Sequence, residues 1–187
     1  MTQVTPPPAI GPTGAPQVTF NEASVRKVFL LFTIFWWIGY PLMFLIVGLP
    51  LLVTAIVFGC ILLYWNWSLL QGVGARTTPG KAVGFCFIPF YCFYWWFVAH
   101  AGLATDNNRY MDAAGIAGPR ISRGLAIAIC VLGIAAVPLA FVPFASVVVA
   151  IPDMILSFIF AVQEKNVMLA ILAHRQQAAV PAQTSAG

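Results

Sequence analysis

Charged side chains are scarce in this sequence: nine Lys/Arg and five Asp/Glu among 187 residues, or 7%, against roughly 25% in soluble domains. So few charges cannot cover the surface of a water-soluble globule. The same scarcity removes the concentrated basic patch that nucleic-acid binding requires, although the formal net charge is +4. The four cysteines, Cys60, Cys86, Cys92 and Cys130, all sit in apolar stretches, where a thiol behaves as a small hydrophobe, and a disulfide framework is excluded. Catalytic patterns are missing too. There is no HExxH, no paired carboxylates and no Ser/His/Asp arrangement. Gly72, Gly74 and Gly80 around Arg76 and Lys81 follow no strand and lack P-loop order. The expectation is a chain that is not an enzyme and holds no cofactor and no metal. Residues 1 to 20 carry neither a basic residue nor an apolar h-region, so they do not read as a cleavable signal.

What the sequence does contain is apolar residue in blocks, 61% of the whole, with a mean hydropathy of +0.92. The first twenty residues hold Pro6, Pro7, Pro8, Pro12 and Pro16 and read as an extended tail. Asn21 is placed to cap a helix, with Glu22 in its first turn. Arg26 and Lys27 then precede the uncharged run 28–47, and Gly48, Leu49 and Pro50 break it before a second uncharged run, 51–70. Each run has the length of a bilayer crossing. So short a connection makes them an antiparallel hairpin. The loop 71–81 is followed by 82–104, which is apolar and dense in aromatics and is interrupted by Ile88-Pro89-Phe90. Residues 105–123 are too polar to cross a bilayer. The apolar stretch 125–163 supplies two more legs, 125–140 and 144–163, around Pro138 and Pro143, and an amphipathic extension follows.

Orientation decides how 82–104 is disposed. Every basic residue lies in one of four clusters between apolar blocks: Arg26/Lys27, Arg76/Lys81, Arg109/Arg120/Arg123 and Lys165/Arg175. If 82–104 crossed, the cationic loops on either side of it would be split across the membrane. If it lies flat or enters and returns, all of them share one face, as the positive-inside tendency favours. The chain is therefore expected to be an all-α integral membrane protein: two transmembrane hairpins, a central re-entrant or interfacial aromatic element, and both termini cytoplasmic. Five transmembrane helices are the alternative. Residues 21–177 form one membrane domain between tails 1–20 and 178–187.

Three polar residues stand out as a candidate intramembrane site. Asp153 is the acidic residue deep inside an apolar block, where a carboxylate is costly and often functional as a proton or cation site. The alternative is a helix break at Pro152-Asp153 or a subunit contact. His100 and Asn66 are its candidate polar partners. Cys86, Cys92 and His100, with Met111, match no standard zinc spacing, and His100 alone reads equally as a satisfied interfacial residue.

The stretch Thr77 to Tyr110 resembles an uncharacterised bacterial membrane family whose members often follow a GYF-type domain. The residues that carry the likeness are Thr78-Pro79-Gly80-Lys81, Ile88-Pro89-Phe90, the aromatic run, and Gly102-Leu103-Ala104 with Asp106, Asn108, Arg109 and Tyr110. A Pro-rich tail stands here in place of the GYF-type domain. The resemblance implies a multi-pass protein of a bacterial-type inner membrane and brings no catalytic residues. The function expected from the sequence is that of a small accessory or scaffolding subunit, acting by helix association or membrane shaping. Its partners would be the lipid bilayer and other membrane proteins or further copies of itself, with small residues such as Gly124, Ala128 and Gly133 at the contacts. A small transporter or channel using Asp153 is the rival.

Overall fold

The computed structural model describes residues 18–42, 48–139 and 145–184, and among these every regular element is helical. Helix α1, Glu22–Leu42, starts where the sequence places it: Asn21 Oδ1 accepts the Ser24 backbone N–H at 2.9 Å, satisfying one of the orphan donors of a first turn. Residues 43–47, expected as the end of this helix, lie outside the described residues, as do 1–17, 140–144 with Pro143, and 185–187. Helix α2 is Gly48–Leu69. Gly48, Leu49 and Pro50, read from the sequence as a break, are its first turn. A proline in the first turn costs little, because its missing N–H would be unpaired there anyway.

The two helices run antiparallel, with Phe20 stacked on Trp65 at 4.8 Å at one end. At the other end they nearly touch. A Cβ on Gly39 would stand 2.8 Å from the Leu52 backbone nitrogen, so only glycine lets α1 approach α2 this closely.

The aromatic segment does not form one helix. Helix α3, Pro79–Gly84, is capped by Thr78, whose Oγ1 accepts the Lys81 N–H at 3.4 Å. It tightens into a 3-10 turn, Phe85–Phe87, and the chain reverses at Ile88-Pro89-Phe90. Phe90 has φ 62° and ψ −41°, and the Tyr91 N–H donates to the Pro89 carbonyl at 2.7 Å. This i to i+2 bond around a positive φ is the strained form of the γ-turn. The chain then returns without a break through α4, Tyr91–Trp96, a π-helical turn, Phe97–Gly102, and α5, Leu103–Ala113. Trp95 ties the two legs together: its indole N–H donates to the Ala82 carbonyl at 3.1 Å, and its ring meets Phe85 edge-on at 4.8 Å.

The mouth of this helical hairpin is closed by charge. Asp106 accepts from the Arg76 backbone N–H at 3.1 Å, from its Nε at 3.0 Å and from its Nη2 at 2.7 Å. Arg109 donates to the Gly74 carbonyl at 2.7 Å. A segment whose two ends are ion-paired doubles back on itself, and residues 77–105 therefore begin and finish at the same end of the molecule.

Helix α6, Arg123–Leu139, is capped by Ser122, whose Oγ accepts the Leu125 N–H at 3.2 Å. Helix α7, Ala145–Thr184, runs on through residue 163, where the sequence reading ended its last leg, and into the segment 178–187 read as a tail. No helix break occurs at Pro152-Asp153. At the common end α6 and α7 are joined by the Ser122 N–H, which donates to Gln163 Oε1 at 2.8 Å.

The elements close into a ring: α1 packs on α2, α2 on the hairpin, the hairpin on α6, α6 on α7, and α7 on α1. Three of the helical stretches, Glu22–Leu42, Gly48–Leu69 and Val147–Gln177, are long and apolar enough to cross a membrane, and α6 is a shorter apolar helix. The largest buried cluster sits beyond the ring, at the end that carries the basic residues. There Phe20, Leu69, Met111, Ile121, Met168 and Ile171 pack together, and Arg175 reaches back to donate to the Leu69 carbonyl.

Candidate functional site

Inside the ring lies a cavity of about 560 Å³, within the 300–1,000 Å³ range usual for small-molecule sites. Every element of the ring contributes to the lining. From α1 come Phe32, Trp36 and Tyr40; from α2 Leu52, Ile56, Gly59, Cys60 and Leu63; from the hairpin Cys86, Phe87, Trp96 and His100; from α6 Ile129 and Cys130; and from α7 Ser157, Phe160, Ala161 and Glu164. The α7 residues fall at i, i+3, i+4 and i+7, a single helical stripe.

The lining is apolar except at a few points, and two of those are unsatisfied. His100 Nδ1 and Glu164 Oε1 are shut off from solvent and make no hydrogen bond within the protein. Glu164 is 9% exposed. Unpaired buried polar atoms are rare, because each costs about 1–3 kcal/mol in desolvation. His100 owes its position to the π turn, whose wider winding shifts the register of the return leg; such turns recur at functional sites. Its ring meets Phe160 of α7 edge-on at 5.7 Å. Trp67 anchors the same turn by donating to the Ala99 carbonyl at 3.2 Å. On the opposite wall Gly133 of α6 leaves room for Trp96, since a Cβ there would come within 3.3 Å of the indole ring.

Of the three residues singled out in the sequence, the structure brings two to this region. His100 lines the cavity directly. Asp153 lies one turn before Ser157 on α7 and accepts a hydrogen bond from the Tyr40 hydroxyl at 3.4 Å, so it holds a cavity-lining side chain. Asn66 is elsewhere. It is fully buried toward the basic end, where its Oδ1 accepts from Asn107 Nδ2 at 3.0 Å. Glu164 was missed because it reads as the charged boundary of an apolar block. The stripe Ser157, Phe160, Ala161, Glu164 was the available signal. Among the described residues no group of three His, Cys, Asp or Glu side chains is placed to hold a metal ion, and the four thiols are free.

A second, outer groove of about 420 Å³ runs between α2 and the first leg of the hairpin, and it shares Ile56, Cys60 and Phe87 with the cavity. Only these three side chains are common to the two spaces. The hairpin tip next to them is strongly exposed, with Phe90 at 86%.

The residues behind the resemblance at Thr77–Tyr110 each acquire a physical task. Thr78 caps α3, and Ile88-Pro89-Phe90 turns the tip. Asp106 and Arg109 close the mouth. Asn108 pairs with both backbone groups of Ile121, donating to its carbonyl at 2.8 Å and accepting from its N–H at 3.0 Å. Tyr110 lies under the Arg175 guanidinium at 5.9 Å. The hydrogen bonds to Asp106 hold the Arg76 guanidinium above its ordinary pKa. The chain matches no family model, no curated protein and no solved structure.

Proposed function

We propose that this chain is a small multi-pass membrane protein of transporter type, which binds a solute within the bilayer in the cavity enclosed by its helices. The observation that carries this reading is a cavity walled by apolar and aromatic side chains whose lining includes His100 and Glu164, each with a buried polar atom that has no partner. A helix bundle that acts only by association has no use for such groups, and packing the space with apolar residues would stabilise it.

In the membrane, α1, α2 and α7 supply the long spans and α6 a shorter one. The hairpin 77–105 enters and returns, with Phe87 and Phe90 at its tip. The ion-paired mouth, the buried cluster of Met168 and Ile171, and the nine basic residues face the cytoplasm, in the arrangement that the positive-inside tendency favours. Asp153 and Tyr40 line the approach from the far side, as a proton or cation site would require. The inner membrane of a bacterial cell is the compartment that the resemblance at Thr77–Tyr110 suggests.

Association retains support from a different feature. Val148, Ile151, Ile155 and Ile159 form an exposed stripe on α7, with Val148 73% exposed, broad enough for a neighbouring helix. The test of the main reading is solute binding by the purified chain in nanodiscs, located by protection of Cys60 and Cys86 from a lipid-soluble maleimide. Saturable binding that shields both thiols supports it. Failure of every apolar and amphiphilic solute tried to bind, with both thiols reacting at unchanged rates, sinks it.

A further inference from the structure

Resting on that ligand-binding reading, we propose that the cavity selects a primary ammonium carried on an apolar tail, with the Glu164 carboxylate as its counter-ion and the His100 imidazole as a second acceptor. Both side chains belong to the lining of one cavity, and His100 Nδ1 and Glu164 Oε1 have no hydrogen-bond partner within the protein. A carboxylate offers only acceptors when ionised, and a neutral imidazole has one acceptor nitrogen. A ligand carboxylate or phosphate would find no counter-charge, because no Lys or Arg side chain lines the cavity. An alcohol brings a single donor for two acceptors. A primary ammonium brings three donors and no acceptor, and bonds between ionised partners are the strong ones.

The protein supplies no cation of its own to this space. None of its Lys or Arg side chains lines the cavity. Lys165, the residue next to Glu164, instead lies over the Phe29 ring at 4.5 Å. Phe32, Trp36, Trp96 and Phe160 line the same space, and aromatic quadrupoles attract positive charge in a desolvated site. The rest of the lining, toward Leu52, Ile56 and Phe87, accepts an alkyl or aryl tail. The shared region with the outer groove at Ile56, Cys60 and Phe87 gives such a molecule a path from the hydrocarbon.

The ammonium could belong to a free lipophilic amine or to the headgroup of an ethanolamine lipid. The full chain in phosphatidylcholine nanodiscs, with protein-free discs as the reference, is titrated with decylamine, decanol and decanoate. Decylamine is expected to bind at least about tenfold more tightly than decanol, and Glu164→Gln to lower decylamine affinity by about tenfold while leaving decanol within about twofold. Equal binding of the three, unchanged by Glu164→Gln, overturns the ammonium assignment and leaves the ligand-binding reading standing. No binding of any of them brings down that reading as well. Should Glu164→Gln fail to fold, the amine-to-alcohol ratio of the unaltered chain decides alone. A repeat in discs containing phosphatidylethanolamine separates the sources: competition with decylamine assigns the ammonium to the headgroup, and undiminished decylamine binding assigns it to a free amine.

Discussion

Breaking the Arg76–Asp106 pair should loosen the helical hairpin 77–105 at its mouth, and a double-mutant cycle can measure by how much. Asp106 is 2% exposed and takes three hydrogen bonds from Arg76, with Arg109 Nη2 a further 3.4 Å away. Removing one partner of a fully buried pair costs about 3–5 kcal/mol, but the Arg76 side chain is 42% exposed, and exposed pairs are worth about 0–1 kcal/mol. The expected loss for Arg76→Ala is between these limits, about 2 kcal/mol, since the Arg76 backbone N–H and Arg109 still serve the carboxylate. Asp106→Ala also orphans that N–H, and its loss is about 3 kcal/mol. The double variant should fall short of the sum by roughly 1–2 kcal/mol, a coupling typical of contacting charged residues. Thermal unfolding in detergent, followed by intrinsic fluorescence, then shows a drop of about 4–8 °C for Arg76→Ala. The pH dependence has a definite sign. Asp106 raises the Arg76 pKa, so the guanidinium's contribution is fully present below the ordinary arginine range and is lost only as pH passes the still higher folded value. The Arg76→Ala penalty must therefore be the same at about pH 7 and about pH 10. Additive single effects, within about 0.5 kcal/mol, would refute the idea that this pair closes the hairpin.

Four further outcomes are expected. Gly39→Val places a Cβ 2.8 Å from the Leu52 nitrogen and should cost about 1–3 kcal/mol or more by prising α1 from α2; a neutral result in thermal unfolding contradicts the close crossing. Phe90→Gly should raise stability in detergent by about 1 kcal/mol by relieving the positive φ, and a fall instead would show that the phenyl ring, not the backbone, decides the tip. Met168→Ala, in the buried cluster at the basic end, should cost about 2–5 kcal/mol. Val53→Ala, on the exposed face of α2, should cost almost nothing; equal penalties would place the two residues in the same environment. Single cysteines at positions 112–118 report topology directly, and labelling from outside intact cells by an impermeant reagent would rule out a cytoplasmic mouth.

Much of the fold was legible because lipid-length apolar runs and their caps are local signals. Asn21, read as a cap, does cap α1, whereas the Ser122 cap of α6 emerged only from the structure. The interruption at Ile88-Pro89-Phe90 marked the place where the chain turns back. The helix ends were less legible. Pro50 and Pro152 read as breakers, yet a first-turn proline is tolerated, and the second is carried within a helix that packs against α1 and α6. The cavity was legible only in part. His100 and Asp153 drew notice as polar residues in apolar surroundings, whereas Glu164 was hidden by its place at the edge of a block. Whether Asn66 joined them depended on which way α2 faces, and the Asn107 partner that settles it lies 41 residues away.

Helix α7 passes without a joint from Ser157 and Glu164 at the cavity to Arg175, whose guanidinium grips the last turn of α2. A rod that long has nowhere to absorb a tilt, so a displacement imposed beside Glu164 reappears at the Leu69 carbonyl. If the ring binds a solute as proposed, occupancy there and the hold on α2 would be linked through this one helix, and by reciprocity a partner at the basic end that alters that hold would shift affinity within by the same factor.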